Sequence, residues 1–231
     1  MPKMFALDKV VPWGRSYEEY LGMFALDEAD MNSRILGCAD GPAGFNAEAT
    51  RLGKCVVSVD PLYRFSTTEI RERISVTSQQ ILGGVRHNAA DFLWHRIPTV
   101  DDLGRVRMRA MQTFLDDYDA GRRDGRYIDA ELPALPFSDN AFDLAVCSHF
   151  LFLYSEQMSE AFHIGAIREM CRVAQEVRIF PLLATDGRPS PYVAPVFRHL
   201  SDIWRVSVEP VAYEFQRGGN QMLRIRSLRK D

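Results

Sequence analysis

The stretch Ser33-Arg-Ile-Leu-Gly-Cys-Ala-Asp-Gly-Pro-Ala-Gly-Phe-Asn46 decides the fold. Ile35-Leu-Gly-Cys-Ala39 is a short apolar run with no alternating polar face, the pattern of a parallel strand buried on both sides. Asp40-Gly-Pro-Ala-Gly44 supplies a turn of small residues. Phe45-Asn-Ala-Glu-Ala-Thr-Arg-Leu52 then reads as a helix, closed by Gly53. Lys54-Cys-Val-Val-Ser-Val59 is a second apolar strand, and it ends on Asp60-Pro61. Strand, glycine turn, helix, strand and terminal acid form a mononucleotide-binding half-fold. The small residues let the backbone approach a ligand, and the helix start offers unpaired N–H groups. Asp60, roughly 20 residues after the turn, can accept hydrogen bonds from a ribose diol. Several ligands satisfy this geometry.

Moving outward, the 231 residues suit one α/β domain with some elaboration. The formal charge of -3 argues against nucleic acid as the main partner, although Arg105, Arg107, Arg109 and Arg122-Arg123 are local basic clusters. No run of 18 apolar residues is present, so no membrane span is expected, and Met1 to Asp8 is too short an apolar stretch for a secretory signal. Cys38, Cys55, Cys147 and Cys171 show no CxxC spacing and read as buried, reduced thiols of a cytoplasmic protein. No cluster suggests a metal.

Residues 1–32 read as a helical lead-in. Pro12-Trp-Gly14 breaks regular structure, and Ser16-Tyr-Glu-Glu19 is a capping box ahead of Tyr17, Tyr20, Leu21 and Phe24 at helical spacing. A second capping box, Ser66 to Glu69, opens a helix expected to run to about Gln80, where Gly83-Gly84 interrupts it. Residues 85–126 exceed a usual connection and are expected to be a helical insertion over the ligand edge. Tyr127 to Leu132 is expected as a third strand, Ala141 to His149 as a fourth and Glu176 to Leu183 as a fifth, with a helix over Ser155 to Ala174 before the fifth. Val206 to Phe215 and Gln221 to Arg226, around Gln216-Arg-Gly-Gly-Asn220, are expected to form a hairpin carrying an antiparallel strand.

Three features together resemble the Rossmann-like, class I S-adenosylmethionine-dependent methyltransferases: the turn at 39–44, the run Asp129-Ala-Glu-Leu-Pro-Ala-Leu-Pro-Phe-Ser-Asp-Asn-Ala-Phe-Asp-Leu-Ala-Val146, and Ile167-Arg-Glu-Met-Cys-Arg-Val173. The resemblance covers roughly residues 33–226 outside 85–126. It implies a three-layer sandwich around a mostly parallel seven-stranded sheet with an antiparallel strand in a C-terminal hairpin. It also implies S-adenosyl-L-methionine as cofactor. Ala39, Asp40, Gly41, Ala43 and Gly44 would contact its methionine part, Asp60 the ribose, and Asp129 with the Ala130 backbone the adenine. Ser148, His149 and Phe150 would line the methyl-transfer pocket. The chain departs from the family pattern at Gly37, where an acid is usual, and at Ala39 and Ala43, where glycines are more common. Asp40 is positioned to supply the missing charge from a neighbouring site.

Methyl transfer needs a bound donor, a dry pocket and an aligned nucleophile; a base is needed only if that nucleophile starts protonated. His149 is the candidate base. No Asn-Pro-Pro-Tyr-like run or Pro-Cys follows the fourth strand, which disfavours nucleic-acid bases as acceptors and favours a small molecule or a protein side chain. Two other readings fit the turn: a nicotinamide-dependent oxidoreductase, against which Pro42 offers no N–H to a pyrophosphate, and a non-catalytic binding protein on a methyltransferase scaffold.

Overall fold

The computed structural model describes residues 11–228. Seven strands form one sheet in the order β3-β2-β1-β4-β5-β7-β6: β1 (Arg34–Cys38), β2 (Cys55–Val59), β3 (Tyr127–Ile128), β4 (Phe142–Ser148), β5 (Ala174–Phe180), β6 (Trp204–Pro210) and β7 (Gln221–Ser227). The first five are parallel, and β7 runs antiparallel to both of its neighbours. This is the Rossmann-like three-layer sandwich expected from the sequence. The strand order reverses beside β1, so a crevice opens at the carboxyl ends of β1 and β4.

Alternation along the central strands builds two cores. Leu36 and Cys38 of β1 face α6 (Glu160–Val173) and α7 (Val193–Leu200), with Ala166, Ile167 and Met170 fully buried. Ile35 faces the other layer, made by α1 (Tyr17–Met23), α2 (Glu28–Met31) and α3 (Phe45–Arg51), where Tyr20, Phe24 and Phe45 pack together. Each such side chain contributes about 1.5–3 kcal/mol on leaving water. α4 (Thr67–His87) and α5 (Val100–Arg123) span the connection from β2 to β3, and α5 packs against both α3 and α4.

Several boundaries differ from the sequence reading. α4 does not stop near Gln80 but continues through Gly83-Gly84, because Ile81 and Val85 are buried against Ile97 and Leu103. That packing outweighs the roughly 1 kcal/mol that each helical glycine costs. The third strand is only two residues long, since β3 is an edge strand and the chain leaves the sheet at Asp129. Residues 155–159 precede α6 instead of joining it, and the Ser159 side chain caps its start. The hairpin strand ends at Pro210, not Phe215. Residues 211–220 instead bring buried Tyr213 and half-buried Phe215 back onto the N-terminal layer. Cys55 is exposed, being the first residue of β2, and all four cysteines are free. Of the lead-in, residues 1–10 lie outside the described residues. No helix among the described residues is long and apolar enough to cross a membrane.

One buried ion cluster ties the lead-in to the sheet. Arg178, mid-strand in β5 and 2% exposed, donates to both Asp30 carboxylate oxygens at 2.8 Å, to Phe24 O at 2.8 Å and to Glu176 at 2.5 Å. Removing one partner from a buried guanidinium leaves part of its charge uncompensated. Asp30→Ala is expected to cost about 2 kcal/mol and lower Tm by roughly 4–8 °C, read by thermal denaturation.

Candidate active site

The crevice begins where β1 ends. The Ala39 N–H donates to Val59 O at 2.9 Å, and the chain then turns through two left-handed residues, Ala39 (φ 53°) and Gly41 (φ 53°). Asp40 folds back between them. An ideal Cβ built on Gly37 would lie 1.9 Å from Asp40 Oδ2, so the carboxylate occupies space that any side chain at position 37 would need. Tyr20 donates its O–H to Asp40 Oδ1 at 2.7 Å, and Ser58 donates to Oδ2 at 2.6 Å. The Asp40 carboxylate thus lies beside residue 37, three residues earlier in the chain. Burial raises the Asp40 pKa to about 6, with the Ser58 and Tyr20 hydrogen bonds partly offsetting it.

Asp60 crosses the crevice from the end of β2. Its Oδ2 accepts the Gly41 N–H at 2.9 Å and its Oδ1 accepts the Leu62 N–H at 2.7 Å, while Tyr63 donates its O–H to Gly41 O at 2.8 Å. Both polar atoms of the Gly41 backbone are therefore held. Burial raises Asp60 to about 6 as well, opposed by the two backbone donors.

Asp40, Gly41, Asp60, Ala39, Ser148 and His149 all line one cavity of about 270 Å³, together with Trp13, Arg15, Tyr20 and Phe150. Ala43, Gly44, Asp129 and Ala130 do not line it. Asp129 is exposed and pairs at 3.3 Å with Arg64, itself a lining residue, which places the acid outside the cavity behind Arg64. Gly44 serves the lead-in instead, donating its N–H to Arg15 O at 2.9 Å.

His149 follows β4 in a left-handed conformation (φ 52°), with its N–H donating to Phe180 O at 2.7 Å. Its Nδ1 shares a hydrogen bond of 2.9 Å with Ser148 Oγ. Burial pushes its pKa well below the ordinary value, and the Arg15 and Arg107 cations push the same way, so the imidazole is neutral at pH 7. It also lines a second cavity of about 150 Å³, which shares Val11, Trp13, Arg15 and His149 with the first.

Sequence reasoning missed Arg15, Glu19, Arg107 and Tyr213, which form the polar part of the second cavity's surround. Arg107 is 1% exposed and pairs with Glu19, which also accepts the Tyr213 O–H at 2.7 Å. Ionised Glu19 is held down at about 2: burial raises it, and the Arg107 and Arg15 charges overcome that. One signal was readable. Pro12-Trp-Gly-Arg15 stands directly before a capping box, and Gly14 lies so close to the turn that a Cβ there would meet Pro42 O at 2.1 Å. The lead-in backbone packs on the glycine turn and carries Arg15 into the site.

No family model matches the chain. It is 33% identical over 224 residues to the uncharacterized protein MJ0045 of Methanocaldococcus jannaschii, covering 95% of this chain and 97% of that one. Among solved structures it is similar to a SAM dependent methyltransferase from Aquifex aeolicus, at 16% identity and a TM-score of 0.43, over 91% and 88% of the two chains. It is also similar to magnesium protoporphyrin IX methyltransferase from Synechocystis PCC 6803 with bound SAM, at 9% identity and a TM-score of 0.48, over 91% and 78%. A third is the PH0226 protein from Pyrococcus horikoshii OT3, at 11% identity and a TM-score of 0.49, over 91% of each chain.

The exchange between positions 37 and 40 is open to a double-mutant cycle. Gly37→Ala is expected to lose about 1–3 kcal/mol in urea denaturation, because the new methyl displaces a buried carboxylate. In an Asp40→Ala background the same substitution should cost markedly less, and the coupling between the two sites is the quantity to measure.

Proposed function

We propose a function for the family to which this chain and the Methanocaldococcus jannaschii protein MJ0045 both belong: transfer of a methyl group from S-adenosylmethionine to a small-molecule nucleophile. The observation that carries this reading is the Asp60 carboxylate, set across the cavity from a glycine turn and bonded to it through the Gly41 N–H. The sequence pattern from Asp129 to Val146 and the strand order, with its antiparallel β7, support the same reading.

The residues present fit such a donor. Asp60 retains lone pairs to accept from a ribose diol, since each of its oxygens holds one backbone N–H. The turn at Ala39 to Gly41 gives a close backbone wall for the methionine part. Asp129 reaches an adenine amino group only by a shift of the Arg64 pair, so its contact is assigned to the rim. The bound donor supplies an activated methyl on a cationic sulfur.

The chain's own part is to exclude water, orient the acceptor and manage one proton. His149 stands in the wall common to both cavities, where an acceptor in the second would face a donor in the first. Its neutral imidazole would accept a hydrogen bond from the acceptor's O–H or N–H and would take up the proton that the acceptor loses. Trp13, Phe150 and Tyr20 line the first cavity with rings that keep the sulfonium surroundings dry.

Titration calorimetry with S-adenosylhomocysteine tests the reading. The wild-type protein is expected to bind it and not NAD, and Asp60→Ala to weaken binding by roughly 10- to 150-fold, the loss of a charged hydrogen bond. Undiminished binding by Asp60→Ala would remove the assignment. The ionised form of Asp60 is the better acceptor, and its pKa is about 6. Affinity should therefore fall about tenfold between pH 7.5 and pH 5, and the fall should flatten in Asp60→Asn. His149→Ala is expected to leave S-adenosylhomocysteine affinity within a few-fold and to lower turnover by about 10²-fold or more once an acceptor is in hand.

A further inference from the structure

The second cavity has a composition that selects its ligand. Phe92, Phe180, Tyr213 and Phe215 give it aromatic walls, and its volume of about 150 Å³ is that of a void able to hold one benzene-sized ring. Two guanidinium groups, Arg15 and Arg107, line it, and no carboxylate does among the described residues. Glu19, which does not line the cavity, is committed to Arg107, to Tyr213 and to the Ser16 N–H. Arg15 forms no ion pair among the described residues. The Nε atoms of both arginines are buried without a hydrogen-bond partner. Arg107 keeps its Glu19 pair and half-buried Arg15 donates to Trp13 O, but a buried guanidinium N–H left without an acceptor is costly and calls for a specific reason. The acids of the neighbouring cavity, Asp40 and Asp60, form no ion pair with either arginine among the described residues.

We infer that the second cavity is the acceptor site and takes a small aromatic molecule bearing one carboxylate, seated on the Arg15 and Arg107 side with its ring between Phe180, Tyr213 and Phe215. This rests on the methyl-transfer reading for the word acceptor, but not for the ligand's charge. A guanidinium matches a carboxylate in plane and charge, and the desolvated pocket strengthens the pair. His149, in the shared wall, then faces whichever nucleophilic atom the ring presents toward the first cavity. The volume leaves no room for a nucleobase with its sugar, or for a polypeptide segment, within this cavity.

The test uses two probes of matched shape, 4-hydroxybenzoate and 4-hydroxybenzamide, titrated by thermal shift and calorimetry into the whole protein, alone and saturated with S-adenosylhomocysteine. The carboxylate is expected to bind at least tenfold tighter than the amide. Gln216→Glu, a near-isosteric change that places a competing carboxylate in the lining, should abolish that preference while the S-adenosylhomocysteine shift persists. Equal binding of the two probes, binding of neither, or an unchanged preference in Gln216→Glu overturns the inference. Failure of S-adenosylhomocysteine to shift the protein instead overturns the methyl-transfer reading, and the probe pair on the protein alone still decides the charge of the ligand.

Discussion

A carboxylate placed in the volume denied to residue 37 is the constraint around which the crevice is arranged. With no side chain on Gly37, Asp40 can turn inward, and the hydroxyls of Tyr20 and Ser58 come to meet it from the lead-in helix and from β2. That contact fixes α1 against the sheet; Arg15, just ahead of α1, lines both cavities, and Glu19 on α1 pairs with Arg107. Asp60 then closes the other side by holding the Gly41 backbone. Ionising either acid costs stability. Both have folded-state pKa values of about 6, above the ordinary 3.8, so the native protein binds more protons than the unfolded chain between about pH 4 and pH 6. Stability from these two groups therefore falls as pH rises through that window, and the full cost is carried at pH 7. Such a cost, concentrated at the carboxyl ends of parallel strands, fits a ligand site.

The two cavities divide the chemistry along one wall. The first is lined by the glycine turn and carries Asp40 and Asp60 together with Arg15, Arg64 and Arg73; the second is aromatic, with Arg15 and Arg107 and no carboxylate among the described residues. His149 and Arg15 belong to both. His149 is held in a left-handed backbone by its N–H to Phe180 O and in a neutral state by its surroundings. A residue held at positive φ in the wall of two cavities is where local geometry is expected to serve function over stability.

The half-fold was legible because its signals are local. An unbroken apolar run, a small-residue turn and a strand-ending acid each occupy consecutive residues, and they placed β1, α3, β2 and Asp60 correctly. The capping boxes at Ser16 and Ser66 were equally readable, each lying within four residues. Elements set by distant packing were not. Gly83-Gly84 reads as a break until Ile97 and Leu103 are seen to hold the helix on both sides of it. The excursion 211–220 looks like strand and turn until Tyr213 is found bonded to Glu19, 194 residues earlier. Arg107 sits in a helix whose sequence offers several arginines at similar spacing, and only the fold shows that it alone of its basic neighbours Arg105 and Arg109 is buried. The adenine role of Asp129 came from resemblance, and the exposed pair with Arg64 sets that acid apart from the six candidates that line the cavity, Ala39, Asp40, Gly41, Asp60, Ser148 and His149.

A crystal structure of the protein with S-adenosylhomocysteine tests the central claim most directly. The account predicts a ribose diol within hydrogen-bond distance of Asp60, the thioether sulfur facing the wall that carries His149, and Asp40 still bonded to Tyr20 and Ser58. A nucleoside bound away from Asp60, or an Asp40 carboxylate swung out to solvent, would contradict it.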